Sequence, residues 1–569
     1  LVHNSANNGG GVYNDGGSAS IVDTTLAANS ATVFGGAVRN LGGTLYVGGS
    51  SLSSNSAQIG GALDVQGLAT ATITGSTFTG NTARISGGGI HIFRSTVDFT
   101  NSTVLNSSAR SGGGISNSGA LDMVGVTLSG NSAERNGGGI SSRGTLEIID
   151  GSLSGNTASS NGGGIFNYDG GSSFFPGTLN VADTAFASNS AEYGGGLSNA
   201  GGDVTTIDSG FSANTASEWG GGIANFSGGT LNIIRTTLSS NSADDWGGGI
   251  YQEDNGTANI ADSTLSGNSA GDVGGGIGNF RGTVEIVGST LSGNFSNNVG
   301  GAIGNDADGL LIATNSTLSG NSARTEGGGI WNRGAAQLSH STVAFNSSRE
   351  GGGIIAASTS TVALSNTIVA NNALTTGGGQ GPDISGTIVS KGTNLIGDAS
   401  GATGFSFVDL LNVDPLLGPL QDNGGPTPTH ALLVGSPAID AADDTFALTT
   451  DQRGVARPQD GDSNGIAVAD IGAFELEPGS SAPVVATLES TGMTAYPNGT
   501  SESVIDDSIQ TDSADPLPPT ASALSTGETT ANSKSTKVQD VRAVDAAIGD
   551  YTVDLVDDAL LEELVLCQT

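Results

Sequence analysis

The chain has 569 residues, 95 of them glycine, and a formal net charge of −37 at pH 7. This charge would repel phosphate backbones and anionic lipids, so it argues against nucleic acid and membrane surfaces as partners. The single cysteine, Cys567, excludes an intrachain disulfide and a cysteine-based zinc site, and no apolar run is long enough for a transmembrane helix.

The N-terminal stretch LVHNSANNGGGVYN already belongs to a repeat and has neither a basic segment nor an apolar leader. We therefore expect any export signal to lie upstream of residue 1. From this stretch onward, a phrase of glycines followed by an aliphatic residue returns about every 26 residues, a period typical of solenoids. The repeat decays near residue 380.

An asparagine precedes each glycine phrase by five or six residues. Stacked repeats would place these amides at equivalent turns, where they can hydrogen-bond to one another. The predicted ladder consists of Asn4, Asn29, Asn55, Asn81, Asn106, Asn131, Asn156, Asn189, Asn214, Asn241, Asn268, Asn294, Asn321, Asn346 and Asn371.

Within one repeat the apolar residues alternate with polar ones, as in Val284-Glu285-Ile286, and this period of two predicts short strands. The glycine density and the β-branched residues argue against helices. We predict three strands per repeat and an all-β parallel β-helix of about fifteen coils, roughly 70 Å long at the usual strand spacing. Glycines would supply positive φ at the corners, and the following aliphatic residue, such as Ile250, would enter the core.

Several repeats contain a phrase such as Phe78-Thr-Gly-Asn81 or Phe211-Ser-Ala-Asn214, followed by three glycines and an aliphatic residue. They resemble the FxxN and GGA(I/L/V) repeats of the chlamydial polymorphic outer-membrane proteins and related bacterial surface β-helices. The resemblance spans about residues 1–380, although most repeats here carry leucine in place of phenylalanine. It implies a right-handed β-helix exposed at a bacterial surface.

The phrases NVDPLLGPLQDNGGPTPTHALLVGSPAIDAADD, TDQRGVARP and DIGAFE lie within residues 412–475. They closely resemble the choice-of-anchor Q domain found at the C-terminal end of β-helices in bacterial secreted or surface proteins. The resemblance implies export and surface residence without an assigned reaction. An open β-helix exposes unpaired strand edges, so we also expect this segment to cap the solenoid.

The composition divides the chain into four parts. We predict β-helix repeats over 1–400, a choice-of-anchor Q-like capping domain over 401–477, and an acidic linker rich in Ser, Thr and Pro over 478–537. Residues 538–569 have apolar residues at helical spacing and predict a short helical tail.

Two residues directly before the glycine phrases form the most informative column. In four successive coils this pair reads Glu192-Tyr193, Glu218-Trp219, Asp245-Trp246 and Asp272-Val273. Stacking would place three aromatic rings and four carboxylates in adjacent stripes, which could bind a glycan by ring stacking and hydroxyl hydrogen bonds. A structural interpretation competes with this one, because such rings can simply shield a turn.

Catalysis at the same column is an alternative. Carboxylates two coils apart would lie roughly 10 Å from each other, near the upper separation for an inverting glycosidase. A polysaccharide lyase or glycoside hydrolase would then use Glu218, Asp245 and Asp272. No Ser-His-Asp spacing or histidine metal motif is evident in the sequence.

The stretch DGDSNG places oxygen ligands at Asp460, Asp462 and Asn464, as at the start of an EF-hand-type calcium loop. The twelfth position falls on Ile471, with Asp470 one residue short. The sequence therefore predicts no required cofactor, with calcium at this loop as a possible ligand and a plain acidic turn as the alternative.

Together these patterns predict a non-catalytic secreted or cell-surface protein. Its expected partner is an extracellular polysaccharide or a cell-surface ligand, bound for adhesion through the lateral stripe. Neither nucleic acid nor membrane insertion is expected, and the sequence leaves the oligomeric state open.

Overall fold

A computed structural model describes residues 1–171, 177–375, 377 and 379–479. These residues lie in one compact unit, Leu1–Val484. The predicted helical tail and nearly all of the predicted acidic linker lie outside the described residues.

The repeats stack as a parallel β-solenoid of fifteen coils, which confirms the predicted fold class. In the described residues each regular coil contributes four short strands rather than the predicted three, because its longest sheet bends into two limbs. Equivalent residues pair in register, so that Leu238 pairs with Leu265 and Ile250 with Ile277. Every strand thus obtains its backbone partners from the coils before and after it.

The first sheet contains fifteen strands among the described residues. They are Ser5–Asn8, Ser30–Phe34, Ser56–Ile59, Thr82–Ser86, Ser108–Ser111, Ser132–Asn136, Thr157–Ala158, Ser190–Tyr193, Thr215–Trp219, Ser242–Ala243, Ser269–Ala270, Phe295–Ser296, Ser322–Ala323, Ser347–Ser348 and Ala373–Leu374.

The second sheet is the bent one, and two long strands run through both of its limbs. Its first limb consists of Val12–Asp15, Val38–Leu41, Leu63–Gln66, Ile90–Thr100, Ile115–Val124, Ile140–Ser142, Ile165–Tyr168, Leu197–Ala200, Ile223–Phe226, Ile250–Glu253, Ile277–Phe280, Ile303–Asn305, Ile330–Asn332, Ile354–Ala356, Ile384–Thr387 and Ala402–Thr403. Its second limb adds Ser18–Val22, Thr44–Gly48, Thr70–Thr74, Thr145–Ile149, Thr178–Ala182, Asp203–Ile207, Thr230–Ile234, Thr257–Ala261, Thr283–Val287, Leu310–Thr314, Ala335–Ser339, Thr361–Ser365 and Val389–Lys391.

The third sheet closes each coil with strands of two or three residues. These are Thr25–Ala27, Ser51–Ser53, Thr77–Thr79, Thr103–Leu105, Thr127–Ser129, Ser152–Ser154, Ala185–Ala187, Gly210–Ser212, Thr237–Ser239, Thr264–Ser266, Thr290–Ser292, Thr317–Ser319, Thr342–Ala344, Ile368–Ala370, Leu395–Ile396 and Leu410–Leu411. A separate antiparallel pair, Leu417–Gln421 and Thr429–Leu432, follows the solenoid.

Helical structure is minimal in the part of the chain that the structure describes. It contains the short 3-10 turn Asp444–Phe446. No helix there has the length and apolar character needed to cross a bilayer.

Alternation sends apolar side chains of the strands into a continuous core. Leu265 and Ile277 are fully buried, and the rings of Phe186 and Phe211 stack with centroids 4.3 Å apart. Because each coil covers the apolar residues of its neighbours, stability is shared between adjacent coils.

The asparagine ladder is present and buried. The backbone N–H and the Nδ2 of Asn241 both donate to Asn268 Oδ1, at 3.0 and 2.9 Å. Asn268 Nδ2 in turn donates to the carbonyl of Leu238 at 3.0 Å. Each amide therefore joins two neighbouring coils and satisfies a strand carbonyl of the third sheet.

Two predicted members of the ladder are wrong. Asn106 and Asn371 occupy the preceding turn position with φ of 49° and 59°, a conformation that asparagine tolerates better than most residues. The ladder positions belong instead to Ser107 and Asn372: the Ser107 N–H donates to Asn131 Oδ1, and Asn372 Oδ1 accepts from Asn346.

A second amide ladder, which the sequence analysis did not identify, runs along the bend of the second sheet. Asn199 Nδ2 donates to Asn225 Oδ1 at 2.7 Å, and Asn225 donates to Gln252 Oε1 at 2.7 Å. Asn279 and Asn305 continue the pattern at 2.7 Å. These amides stabilise the bend that makes two limbs from one sheet.

The glycine phrases form the corner between the first and second sheets. Gly247 has a φ of 66°, and a Cβ there would collide with the carbonyl oxygen of Ile250. At Gly248 a Cβ would collide with the carbonyl of Ser269 in the next coil. The corner therefore requires glycine both for its backbone conformation and for the close approach of coils.

The beginning of the predicted capping domain closes the C-terminal end of the core. Ala402, Phe405 and Leu411 pack against the solenoid core there.

Most of the remaining part of the predicted capping domain lies along the side of the solenoid instead of over its end. Thr290 Oγ1 donates to the carbonyl of Pro428 at 2.6 Å, and Thr317 Oγ1 donates to Gln452 Oε1 at 2.7 Å. The end-cap expectation fails for this part because it packs on the outer face of the third sheet, where Ile368 joins its apolar core.

Candidate functional site

The site is the outer side of the glycine corner, which we call the lateral groove. Two columns line it: the residue before the first glycine of each coil and the residue five positions later. Across the corner, Trp331 Nε1 donates to Glu326 Oε2 at 3.0 Å, and the Arg39 guanidinium lies 4.2 Å from the centre of the Phe34 ring. These contacts show that the two columns meet side by side.

The pre-glycine column continues as a ladder of parallel bridges. Trp246 pairs with Val273, Val273 with Val299, Val299 with Glu326, and Glu326 with Glu350. Side chains along this column are therefore spaced by one strand separation, about 4.8 Å.

Aromatic rings fill the middle of the lateral groove. The ring centroid of Trp219 lies 5.0 Å from those of Tyr193 and Tyr251. Trp246 makes edge contacts with Tyr251 at 6.3 Å and Phe280 at 5.8 Å. The rings pack on one another at angles between 33° and 89°, so they form a cluster and not a parallel stack of exposed faces.

Asp245 is the carboxylate held within this cluster. Its Oδ2 accepts a hydrogen bond from Trp219 Nε1 at 3.1 Å. Burial raises the pKa of Asp245 to about 6, against the lowering effect of the Trp219 hydrogen bond, and the neighbouring carboxylates of Asp272 and Glu218 raise it further. The group therefore holds a proton closer to neutral pH than an ordinary aspartate does.

Glu253 is a second buried acid, on the facing strand. Its carboxyl is hydrogen-bonded to the Tyr251 hydroxyl, and the residue is 3% exposed. Burial and then the nearby Asp254 raise the pKa of Glu253 to about 7. The aromatic cluster thus lies between two carboxyl groups whose charge depends on pH near neutrality.

The structure brings the predicted residues together but changes their exposure. Tyr193 is 9% exposed and buried, whereas Trp219 and Trp246 are half-buried. The expected open stripe of three rings is therefore reduced to two tryptophans.

The predicted carboxylates Glu192, Glu218 and Asp272 are also half-buried. Burial raises the pKa of Glu192. Asp272 Oδ1 accepts from Asn298 Nδ2 at 2.6 Å, which ties this carboxylate to the next coil.

Sequence reasoning missed Tyr251, Phe280 and Glu253, which come from the second sheet. The pattern that could have found Tyr251 is the offset of five residues, because Trp246 and Tyr251 are related in the same way as Glu326 and Trp331. A search confined to the residues before the glycines covers one wall of the lateral groove.

The N-terminal part of the lateral groove carries a network of charged side chains beside the Phe34 ring. His91 Nδ1 lies 2.8 Å from Asp64 Oδ1, and Arg39 Nε lies 3.6 Å from Asp64 Oδ2. Gln66 Nε2 also donates to Asp64 at 2.8 Å. These residues are at most 5% exposed, so the network holds coils together and offers no open surface.

The predicted calcium loop is rearranged. Asp460 and Asp462 come together with Asp440, with one carboxylate oxygen of each within 4.8 Å of the others. The carboxylate of Asp470 instead accepts the main-chain N–H groups of Asp440 and Leu476, at 2.7 and 2.6 Å.

The fourth predicted ligand, Asn464, donates its Nδ2 to Asp462. Asp460 and Asp462 accept the backbone N–H of Asn464 as well, as they would in an acidic turn. Calcium binding at this loop stays a prediction.

Comparison with known families gives one local match. Residues 125–143 match the Chlamydia polymorphic membrane protein (Chlamydia_PMP) repeat. This segment contains the strands Thr127–Ser129 and Ser132–Asn136, the ladder residue Asn131 and one glycine corner. No curated protein matches the chain. The resemblance of residues 412–475 to the choice-of-anchor Q domain stays a prediction.

Proposed function

We propose that the chain is a non-catalytic, secreted or cell-surface β-solenoid that binds an extracellular glycan through the aromatic cluster of the lateral groove. The match to a repeat of a polymorphic membrane protein supports a surface location. The stacked coils supply a rigid scaffold, since every strand is fixed by both neighbours. Such a scaffold holds a binding surface without needing to order it on contact.

One observation carries the proposal: Trp219 and Trp246 remain half-buried in the lateral groove, beside the Asp245 carboxylate. Tryptophan is enriched at binding surfaces because its large ring adds apolar contact and an N–H donor. The carboxylate beside it accepts hydrogen bonds from hydroxyl groups. A sugar ring offers an apolar face and hydroxyls, so it matches both features.

The test is binding of the purified protein to an array of neutral and acidic glycans. Trp219→Ala and Trp246→Ala should each weaken binding about ten-fold or more, as removal of a hot-spot ring does. Phe295→Ala is the matched control, because this ring is 42% exposed on the first sheet outside the lateral groove. Equal binding by all four proteins, or no binding by the wild type, would contradict the proposal.

The raised pKa of Asp245 favours a second candidate, a polysaccharide-cleaving enzyme. A carboxyl group with a pKa near 6 can serve as a general acid near neutral pH. Incubation with soluble polysaccharides should then release reducing ends or unsaturated products, and Asp245→Asn should abolish release. Binding without release separates the adhesive function from the enzymatic one.

A further inference from the structure

Beyond the aromatic cluster, the lateral groove opens into a cleft of about 300 Å³. Thr325, Glu326, Arg349 and Glu350 line it, together with Gly377 and Gly379. A volume of this size is at the lower end of ligand sites in proteins. Glu326 and Glu350 belong to the pre-glycine column, so the cleft continues the surface that carries Trp246.

Aromatic and polar groups beside the cleft hold its two carboxylates in place. Glu326 Oε2 accepts from Trp331 Nε1, and the Arg333 guanidinium lies 5.6 Å from the centre of the Trp331 ring. Glu350 Oε1 accepts from Ser385 Oγ at 3.1 Å. Among the described residues, these contacts occupy one oxygen of each carboxylate, and the other oxygen can accept from a ligand.

Small residues keep the cleft and its approach open. A Cβ at Gly379 would lie 3.2 Å from Glu350 Oε2, so glycine leaves space beside this carboxylate. Between the cleft and Trp246, the pre-glycine column carries Val273 and Val299, and the facing column carries Gly278. Within these two columns, the positions between the two sites are therefore uncharged and free of large side chains.

We infer that the cleft is a second subsite of the lateral groove, and that the ligand is a linear, uncharged glycan lying along the solenoid axis. The inference rests on the proposed glycan binding at Trp219 and Trp246. Four strand spacings separate Trp246 from Glu350, roughly 19 Å, which a single sugar ring does not span.

The charges of the cleft define the ligand class. Sugar hydroxyls can donate to the carboxylates of Glu326 and Glu350 and accept from the Arg349 guanidinium. The carboxylates of both subsites would repel a polyanionic chain, because like charges brought together in a groove weaken association. A neutral polysaccharide satisfies both subsites.

The experiment measures binding of β-1,4-linked glucose and N-acetylglucosamine oligomers, from disaccharide to hexasaccharide, by titration calorimetry. In the wild type the hexasaccharide should bind roughly ten-fold or more tightly than the disaccharide, because it reaches both subsites. Glu350→Gln and Trp331→Ala should remove this gain with length and leave disaccharide affinity unchanged. Trp219→Ala should weaken binding of every length.

Glu285→Gln is the matched control, because this carboxylate is exposed on the outer face of the second sheet. It should bind as the wild type does. Oligomers that bind with no dependence on length, or a length dependence that survives both cleft variants, would overturn the second subsite while leaving the first intact. If no oligomer binds the wild type, the second subsite for an uncharged glycan fails, and the glycan array decides the proposed function by itself.

Discussion

The asparagine ladder and the pre-glycine column run through the same coils with the same period, yet they obey opposite rules. Over fifteen consecutive coils, fourteen carry asparagine at the ladder position and one carries Ser107. The pre-glycine column changes from Phe34 to Asn161, Trp246 and Glu326 over the same length. One column repeats its chemistry and the other varies it.

The difference follows from where each side chain finds its partners. An amide in the ladder bonds to the coil before and the coil after, so its neighbours must have the same chemistry. A pre-glycine side chain meets its partner across the corner, as Glu326 meets Trp331. Any two side chains that complement each other can occupy these two positions. The lateral groove can therefore differ from coil to coil without disturbing the fold.

Breaking the ladder should give the largest effect. Asn268→Ala removes the acceptor of two Asn241 donors and the donor to the Leu238 carbonyl, all inside the core. Buried polar groups left unpaired cost about 1–3 kcal/mol each, so we expect a loss of about 3–5 kcal/mol in the free energy of unfolding. Urea denaturation followed by circular dichroism measures it.

Asn297→Ala is the control for this variant, since Asn297 is exposed and lies three residues beyond the next ladder position, Asn294. It should change stability by less than about 0.5 kcal/mol. Equal losses in the two variants would show that the amide ladder contributes no special stability.

The regular features of the fold could be predicted because they repeat. The period, the parallel stacking and thirteen of the ladder asparagines follow from spacing alone. Asn106 and Asn371 were misassigned because each stands one residue before the ladder, in a turn position of positive φ that favours glycine and that asparagine also tolerates.

The candidate site could be predicted from the sequence only in part. The pre-glycine residues identified one wall, but the burial of Tyr193 depends on the Trp219 ring in the next coil. The opposite wall, with Tyr251 and Phe280, comes after the glycine corner in the sequence. Its distance from the first wall depends on the angle of that corner. Spacing within one column carries no such information.

Changing the lateral groove should cost less stability than changing the ladder. Trp246→Ala removes contacts with Tyr251 and Phe280, but the ring is half-buried and leaves no unpaired polar group in the core. We expect a loss of about 2 kcal/mol, below the range for fully buried tryptophan. A loss equal to that of Asn268→Ala, in the same urea experiment, would remove the distinction between the two columns.

The lateral groove should also respond to pH in a way that the uncharged ladder does not. Because burial raises the folded-state pKa of Asp245 to about 6, the folded protein binds more protons than the unfolded chain between about pH 4 and 6. Stability from this group is therefore present below pH 4 and is lost as pH rises through 6.

The matching variant is Asp245→Asn, which keeps an acceptor for Trp219 Nε1. Other carboxyl groups titrate in both proteins, so the measured quantity is the difference in unfolding free energy between wild type and variant at pH 4.5 and 7.5. The variant should gain about 1 kcal/mol relative to wild type at the higher pH, after allowance for solvent screening. A constant difference at both pH values would place the Asp245 carboxyl in an ordinary solvated environment.

The smallest effect should come from repairing the ladder. At Ser107 the hydroxyl donates to the Leu105 carbonyl and cannot reach the preceding coil as an asparagine Oδ1 does. Ser107→Asn would offer an acceptor to Asn81 and raise the free energy of unfolding by about 0.5 kcal/mol, the net value of one added hydrogen bond. Ser108→Asn, one residue further on the partly exposed strand, should give no gain. If Ser107→Asn destabilises the protein, the strict repetition of asparagine does not reflect the bonds between adjacent coils.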